Sequence, residues 1–237
     1  MNNHPTWEEP DRQHKEELAN DIERRPYRER NHLVGLLAAQ AGWHITEAQD
    51  IPNHLLVIGN IHYSQISWHI PEADYDIFQD FERLSPDDPR VRWVQNTKME
   101  EYRNLHEVTT LLLARSGEER PWKDVKEEPD YAHNPPGLLP YWERNHLVAY
   151  LAASGGLNWH VRKDESLGST VYWVYGEIGG EQVSWRLGPV ATHLGEGFDL
   201  LPEGDPRVTW NNHTPEDVYA TVRSEITRLM TSRKGGS

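Results

Sequence analysis

The sequence contains no cysteine, which excludes disulfides, thiolate zinc sites and cysteine nucleophiles and suits a reducing compartment. It has no apolar run near the ~20 residues that span a bilayer. Trp7-Glu-Glu-Pro10 does not read as part of a signal peptide, so a cytoplasmic chain with no membrane partner is expected. Positive charge is scarce: 24 Lys and Arg stand against 38 Asp and Glu, for a net charge of −14. Proteins that hold nucleic-acid backbones need clustered cations, so direct nucleic-acid binding is not expected. The acids are scattered among Arg and Lys, which serves solubility. The rival reading of that charge is an acidic decoy for a DNA-binding protein. Phenylalanine and methionine are few, at three each, and only 36% of residues are hydrophobic. Ten Trp and ten Tyr supply the missing bulk for a core.

What the chain has instead is a duplication. Tyr27-Arg-Glu-Arg-Asn-His-Leu-Val-Gly-Leu-Leu-Ala-Ala39 returns as Tyr141-Trp-Glu-Arg-Asn-His-Leu-Val-Ala-Tyr-Leu-Ala-Ala153. After each copy come Trp-His (43–44 and 159–160), Gln-x-Ser-Trp (65–68 and 182–185) and Asp-Pro-Arg-Val (88–91 and 205–208). A Trp (93 and 210), a Thr (97 and 214) and a Tyr (102 and 219) complete the set. A repeat of this length predicts two units of one design. The expected division is an N-terminal arm and polar helix over 1–26, a first repeat over 27–115, a linker over 116–140, a second repeat over 141–233 and a disordered tail over 234–237. Each repeat is expected to have a core of its own.

Within the first repeat, Asp11–Arg25 is a polar helix that Pro26 should stop. A second helix should run from Tyr27 to Ala41, bury Leu33, Val34, Leu36, Leu37 and Ala38, and end at Gly42. Strands are predicted at Trp43–Ile45, Leu55–Ile61 and Gln65–Ile70. The last alternates, with Ile66, Trp68 and Ile70 on one face and Gln65, Ser67 and His69 on the other. Asp74–Leu84 reads as a short amphipathic helix. Thr97 with Glu100 reads as a capping box for a closing helix. The second repeat carries the same signals, with Gly179-Gly180 as a tight hairpin turn and Thr214-Pro215 opening the last helix. Its segment Gly188–Pro202 is too rich in Gly and Pro for a firm helix. The expected fold is α+β: a tandem repeat of a small antiparallel sheet of about three strands, covered by helices in two layers, with the units in a pseudo-two-fold arrangement.

Polar residues that recur beside core positions are the candidates for a site. They are Asn31, His32, His44, Gln65, Ser67 and His69 in the first repeat, and Asn145, His146, His160, Gln182, Ser184 and Arg186 in the second. An Asn/His/Gln/Ser set would hydrogen-bond a flat polar ligand. The structural alternative is that His32 and His146 satisfy backbone groups and that the strand face is polar for solubility. Ser67 with His44 or His32, and Ser184 with His160 or His146, could form a nucleophile and base. Neither serine lies on a Gly-x-Ser-x-Gly elbow, which argues against acyl-enzyme chemistry. His54, His62 and His69, with Asp74 and Asp76, have no recognised metal-ligand spacing, and the second repeat keeps no matching set. No phosphate loop is present, because Gly176–Gly180 sits in a hairpin with no Lys-Ser/Thr after it. No metal or cofactor is expected. Tyr172-Trp-Val-Tyr175 could stack on bases, but with this many Trp at strand spacing it reads first as core packing.

Arg144-Asn-His-Leu-Val148, Gln182-Val-Ser-Trp185 and Trp210-Asn-Asn-His-Thr-Pro-Glu-Asp-Val-Tyr219 together resemble small proteins of actinobacteria and their tailed phages. Those proteins carry an Arg-Asn-His-Leu-Val helix, a Ser-Trp-His strand and a closing Trp-Asp-Gly-His-Thr motif. The likeness covers most of each repeat. It departs at Trp93-Val-Gln-Asn-Thr97, at Asn211-Asn212 and at Arg186. The resemblance implies a source and no activity. The expected function is a non-catalytic binding protein that holds a small polar ligand, such as a nucleotide, or a host protein, to counter host defence. A homodimer is compatible with this. The alternatives are a hydrolase with His32 or His146 as base, and the acidic decoy.

Overall fold

The computed structural model describes residues 8–62, 64–92, 98–114, 139–155, 158–165, 170–188, 192–195, 197–208 and 213–235. Trp93, Thr97, Trp210 and most of the 116–140 linker lie outside them, as does the Thr97 side of the predicted capping box.

Helix α1 spans Glu8–Ala41 and passes through Pro26, where the sequence predicts a stop. Proline forfeits one helical hydrogen bond and crowds the preceding turn. Here its ring is buried, and Arg25 Nε reaches Glu29 Oε1 across it at 3.3 Å. Tertiary packing therefore overrides the local signal. Gly42 ends the helix at φ +74°, with its N–H and that of Trp43 both returning to the Ala38 carbonyl.

Strands β1 (His44–Glu47), β2 (His54–Ile61) and β3 (Ser64–Pro71) follow as an antiparallel meander. The predicted helix over Asp74–Leu84 is instead a 3-10 turn, Glu72–Phe78, followed by a two-residue strand, β4 (Arg83–Leu84). Strand β4 lies parallel to β1, so the sheet has four strands in the order β3-β2-β1-β4. Helices α2 (Lys98–Ala114) and α3 (Leu139–Ser154) come next. The second sheet is β5 (His160–Asp164), β6 (Val171–Ile178) and β7 (Glu181–Leu187), all antiparallel. Gly179 and Gly180, at φ +62° and +89°, make the tight turn of its hairpin. A parallel bridge from Val161 to Leu200 stands where β4 joins β1 in the first sheet. Among the described residues of Gly188–Pro202 there is one four-residue helix, α4 (Thr192–Gly195).

Helix α5 (Pro215–Gly235) closes the chain. Thr214 Oγ1 and the Asp217 carboxylate cap each other's backbone N–H groups at its start. It runs through Lys234 and Gly235, where a disordered tail is predicted. Arg233 holds that end by donating to the Gln40 carbonyl at 2.9 Å, on the last turn of α1.

The architecture is thus α+β, with two sheets and five α-helices among the described residues. No described helix is long and apolar enough to cross a membrane. The helices form the middle. Helix α1 packs on α3 and α5, α2 packs on α3, and each sheet lies against helices of its own half. Every residue from Glu29 to Ala39 is consequently buried, the polar ones included. The apolar cluster is continuous from Leu33, Trp68 and Phe78 to Leu147, Trp185 and Ile226. The halves share one core where the sequence predicts two. Trp68 and Trp185 lie in it as alternation requires, stacked on Trp43 and Trp159 at 5.3 and 5.9 Å.

Candidate functional site

Helices α1 and α3 meet through the recurring Glu-Arg-Asn-His segments. Arg30 donates to Glu143 Oε2 at 2.5 Å, and Arg144 donates to Glu29 Oε2 at 2.7 Å. Each guanidinium is steadied by the Asn that follows it: Arg30 by Asn31 Oδ1 and Arg144 by Asn145 Oδ1. Each then reaches the third strand of its own sheet, at the His69 carbonyl (3.1 Å) and the Arg186 carbonyl (2.7 Å). The bonds are reciprocal, residue for residue. Buried charges persist only when paired and fully hydrogen-bonded, and this arrangement supplies both conditions.

The two sides differ in their outer partners. Glu143 accepts from the Tyr102 hydroxyl, which burial and then the Glu143 charge keep protonated well above its usual range. Glu29 accepts from Arg25 instead, and the Tyr219 hydroxyl finds no partner among the described residues. Leu139 stands where a repeat-to-repeat match would put Arg25, so Glu143 cannot be served from its own helix. Asn31 donates to Asp74 at 2.6 Å, and Arg28 also donates to Asp74. His32 and His146 bond the carbonyls of Arg28 and Trp142, one helical turn back, which is the structural alternative. His32 stacks on Tyr219 at 4.6 Å, and burial lowers its pKa to about 4. Asn31, His32, Asn145 and His146 therefore belong to the helix interface.

The other eight candidates sit on the sheets. On the first, Ser67 is buried, and its N–H and hydroxyl both donate to Glu101 of α2. Gln65 donates to the Arg92 carbonyl. His69 bonds Asp50, whose carboxyl is held below its ordinary value mainly by that bond. His44 and Gln65 line a cleft of about 120 Å³ with Trp43, Asn60 and Arg90. Glu101 and Asp50 could not be singled out from sequence, because neither recurs in the second repeat. Asn31, His32, Gln65 and Ser67 do not converge on one cavity. The rest of this outer face is closed by an apolar cluster of Ile58, Leu84 and Val91, with Leu56 against it.

The outer face of the second sheet is different. Register places His160, Tyr175 and Ser184 in one cross-strand row and Arg162, Trp173 and Arg186 in the next. His160, Ser184 and Arg186 are thus brought together on this face, and all are half-buried. Gln182 lies one step along β7 and reaches the Arg207 carbonyl. Burial, and then Arg207, lower the His160 pKa, while Arg207 holds Asp205 at about 2. The sequence groups Trp173 with the core, yet of that run it is Tyr172, Val174 and Tyr175 that are buried. Trp173 is half-buried, and its Nε1 donates to Asp164 Oδ2 at 3.2 Å. The Nε atoms of Arg162 and Arg186 are enclosed and find no acceptor among the described residues. Arg162 has only a 3.9 Å approach to Asp164. An enclosed donor without an acceptor costs about 1–3 kcal/mol. The same row of the first sheet reads Thr46, Leu56, His69, with Thr46 bonded to the Leu84 carbonyl. Arg162 was missed because it does not recur, and Trp173 was placed with the core although its run also admits base stacking; the signal available for both was period-two alternation in β5 and β6.

Neither nucleophile–base pair assembles on a sheet. A full strand separates His44 from Ser67 and His160 from Ser184, about 10 Å at the usual strand spacing. His54 and His69 meet edge to face at 6.4 Å, while His62 lies at the hairpin turn and Asp74 is committed to Arg28 and Asn31. No family model, curated protein or solved structure matches this chain.

Proposed function

We propose that the chain is a non-catalytic binding protein made of two copies of one α+β unit, paired about a pseudo-two-fold axis. In this reading its ligand, a small polar anion, seats on the outer face of the second sheet. The pairing is supported by the reciprocal bonds of Arg30 with Glu143 and of Arg144 with Glu29. The binding reading is carried by the row Arg162, Trp173, Arg186, two arginines on the strands either side of a half-buried indole. Only one half has such a row, as duplication followed by specialisation would leave it.

The hydrolase reading has less support, because His32 and His146 are buried between helices with Nδ1 bound to backbone. The decoy reading has less as well. Asp76, Asp88, Asp205 and Glu225 are each paired with an arginine rather than ranked in a row. For a phage-type chain, which the motifs resemble, stoichiometric capture of a host metabolite is the role proposed. The test is a melting-temperature screen of the purified chain against small carboxylates and phosphates, with chromatography of the recovered ligand. Shifts with an intact ligand, abolished in Arg186→Glu, are expected. Chemical turnover, or shifts indifferent to Arg186→Glu, would sink the proposal.

A further inference from the structure

We infer that the anion taken on the second sheet is a mononucleotide, its base stacked on Trp173 and its phosphate held by Arg162 and Arg186; this rests on the site proposed above. Trp173 is the middle member of a row whose outer members are both cationic. Neighbouring strands lie about 5 Å apart, so either guanidinium stands one strand from the indole. An aromatic face beside arginine is the arrangement that takes a base and its phosphate together. A simple inorganic anion would use the arginines and leave the indole idle. The Asp164 carboxylate fixes the indole by accepting from its Nε1. That carboxylate also lies 3.9 Å from Arg162.

Length of ligand is limited by charge. The row has two cations, a match for one phosphate, in a chain whose net charge of −14 disfavours further negative charge. Number of sites is limited by the first sheet. Its matching row is Thr46, Leu56, His69, with His69 already paired to Asp50 and Leu56 packed against an apolar cluster. One nucleotide per chain follows. Stacking tolerates every base, so selectivity between purine and pyrimidine should be modest.

Titration calorimetry of the full chain with AMP, adenosine, ribose 5-phosphate and inorganic phosphate separates the parts. AMP should bind with a stoichiometry of one, and adenosine and ribose 5-phosphate each about ten-fold or more weaker. Trp173→Leu, which installs the residue of the first sheet's row, should bring AMP down to the ribose 5-phosphate level and leave ribose 5-phosphate unchanged. Trp173→Phe should keep most of the AMP affinity, and both variants are melted beside the parent to verify folding. Ribose 5-phosphate binding as tightly as AMP, or Trp173→Leu binding AMP like the parent, would overturn the base-stacking inference and leave the anion site standing. No heat with any of the four probes would overturn both.

Discussion

Replacing Glu143 with leucine tests the interface that joins the halves. Glu143 is 3% exposed and holds two buried donors, Arg30 and the Tyr102 hydroxyl. Glu143→Leu keeps approximate bulk and leaves the Arg30 charge enclosed at 8% exposure, with only Asn31 and the His69 carbonyl to accept from it. Removing one member of a buried ion pair costs about 3–5 kcal/mol. In a chain of this size that lowers the melting temperature by about 10 °C. Arg30→Met in the Glu143→Leu background removes the stranded charge and should recover much of the loss, so the cycle reports a coupling of about 1–3 kcal/mol. Arg25→Ala is the control, since Arg25 is 52% exposed in its bond to Glu29 and should cost under about 1 kcal/mol. Urea unfolding followed by far-ultraviolet circular dichroism and by Trp fluorescence should show one transition that moves as a whole, because the core is continuous. A Glu143→Leu protein within about 1 kcal/mol of the parent, or two transitions of which one stays put, would refute the reasoning.

Three further outcomes follow from the same packing. His32 titrates at about 4 folded against 6.5 unfolded, so the unfolded chain binds the extra proton between those values. The contribution of His32 is complete above pH 6.5 and is lost as pH falls toward 4, by about 3 kcal/mol in total. His32→Gln should flatten that part of a melting-temperature profile, and an unchanged slope would place the acid sensitivity elsewhere. Trp185→Ala, at 5% exposure and stacked on Trp159, should cost about 3–5 kcal/mol and unfold both halves together by circular dichroism. Gly59→Ala would put a methyl carbon 2.1 Å from the Trp43 ring. That ring is stacked on Trp68 and has little room to yield, so a cost of about 1–3 kcal/mol is expected by thermal melting. An unaltered melting temperature would mean that the Trp43 stack is loose.

Local signals determined a good share of this protein. Periodicity placed α1 over its apolar stripe, alternation put Trp68 and Trp185 in the core, and Gly42, Gly179-Gly180 and Thr214-Pro215 marked caps and a turn where they occur. These follow from backbone chemistry within a few residues, which a sequence carries in full. What failed locally failed through distant contacts: α1 runs through a buried Pro26, and Arg233 ties the tail to the Gln40 carbonyl. The recurrence of Glu-Arg-Asn-His was legible, but its meaning was not. A polar residue retained beside a core reads alike whether it faces a ligand or its own counterpart on another helix. Only the tertiary structure decided between them, by setting α1 against α3 so that each Arg meets the other's Glu. It also assembled Arg162, Trp173 and Arg186, which lie on three strands and share no sequence pattern, because cross-strand register is decided by pairing and not by separation along the chain.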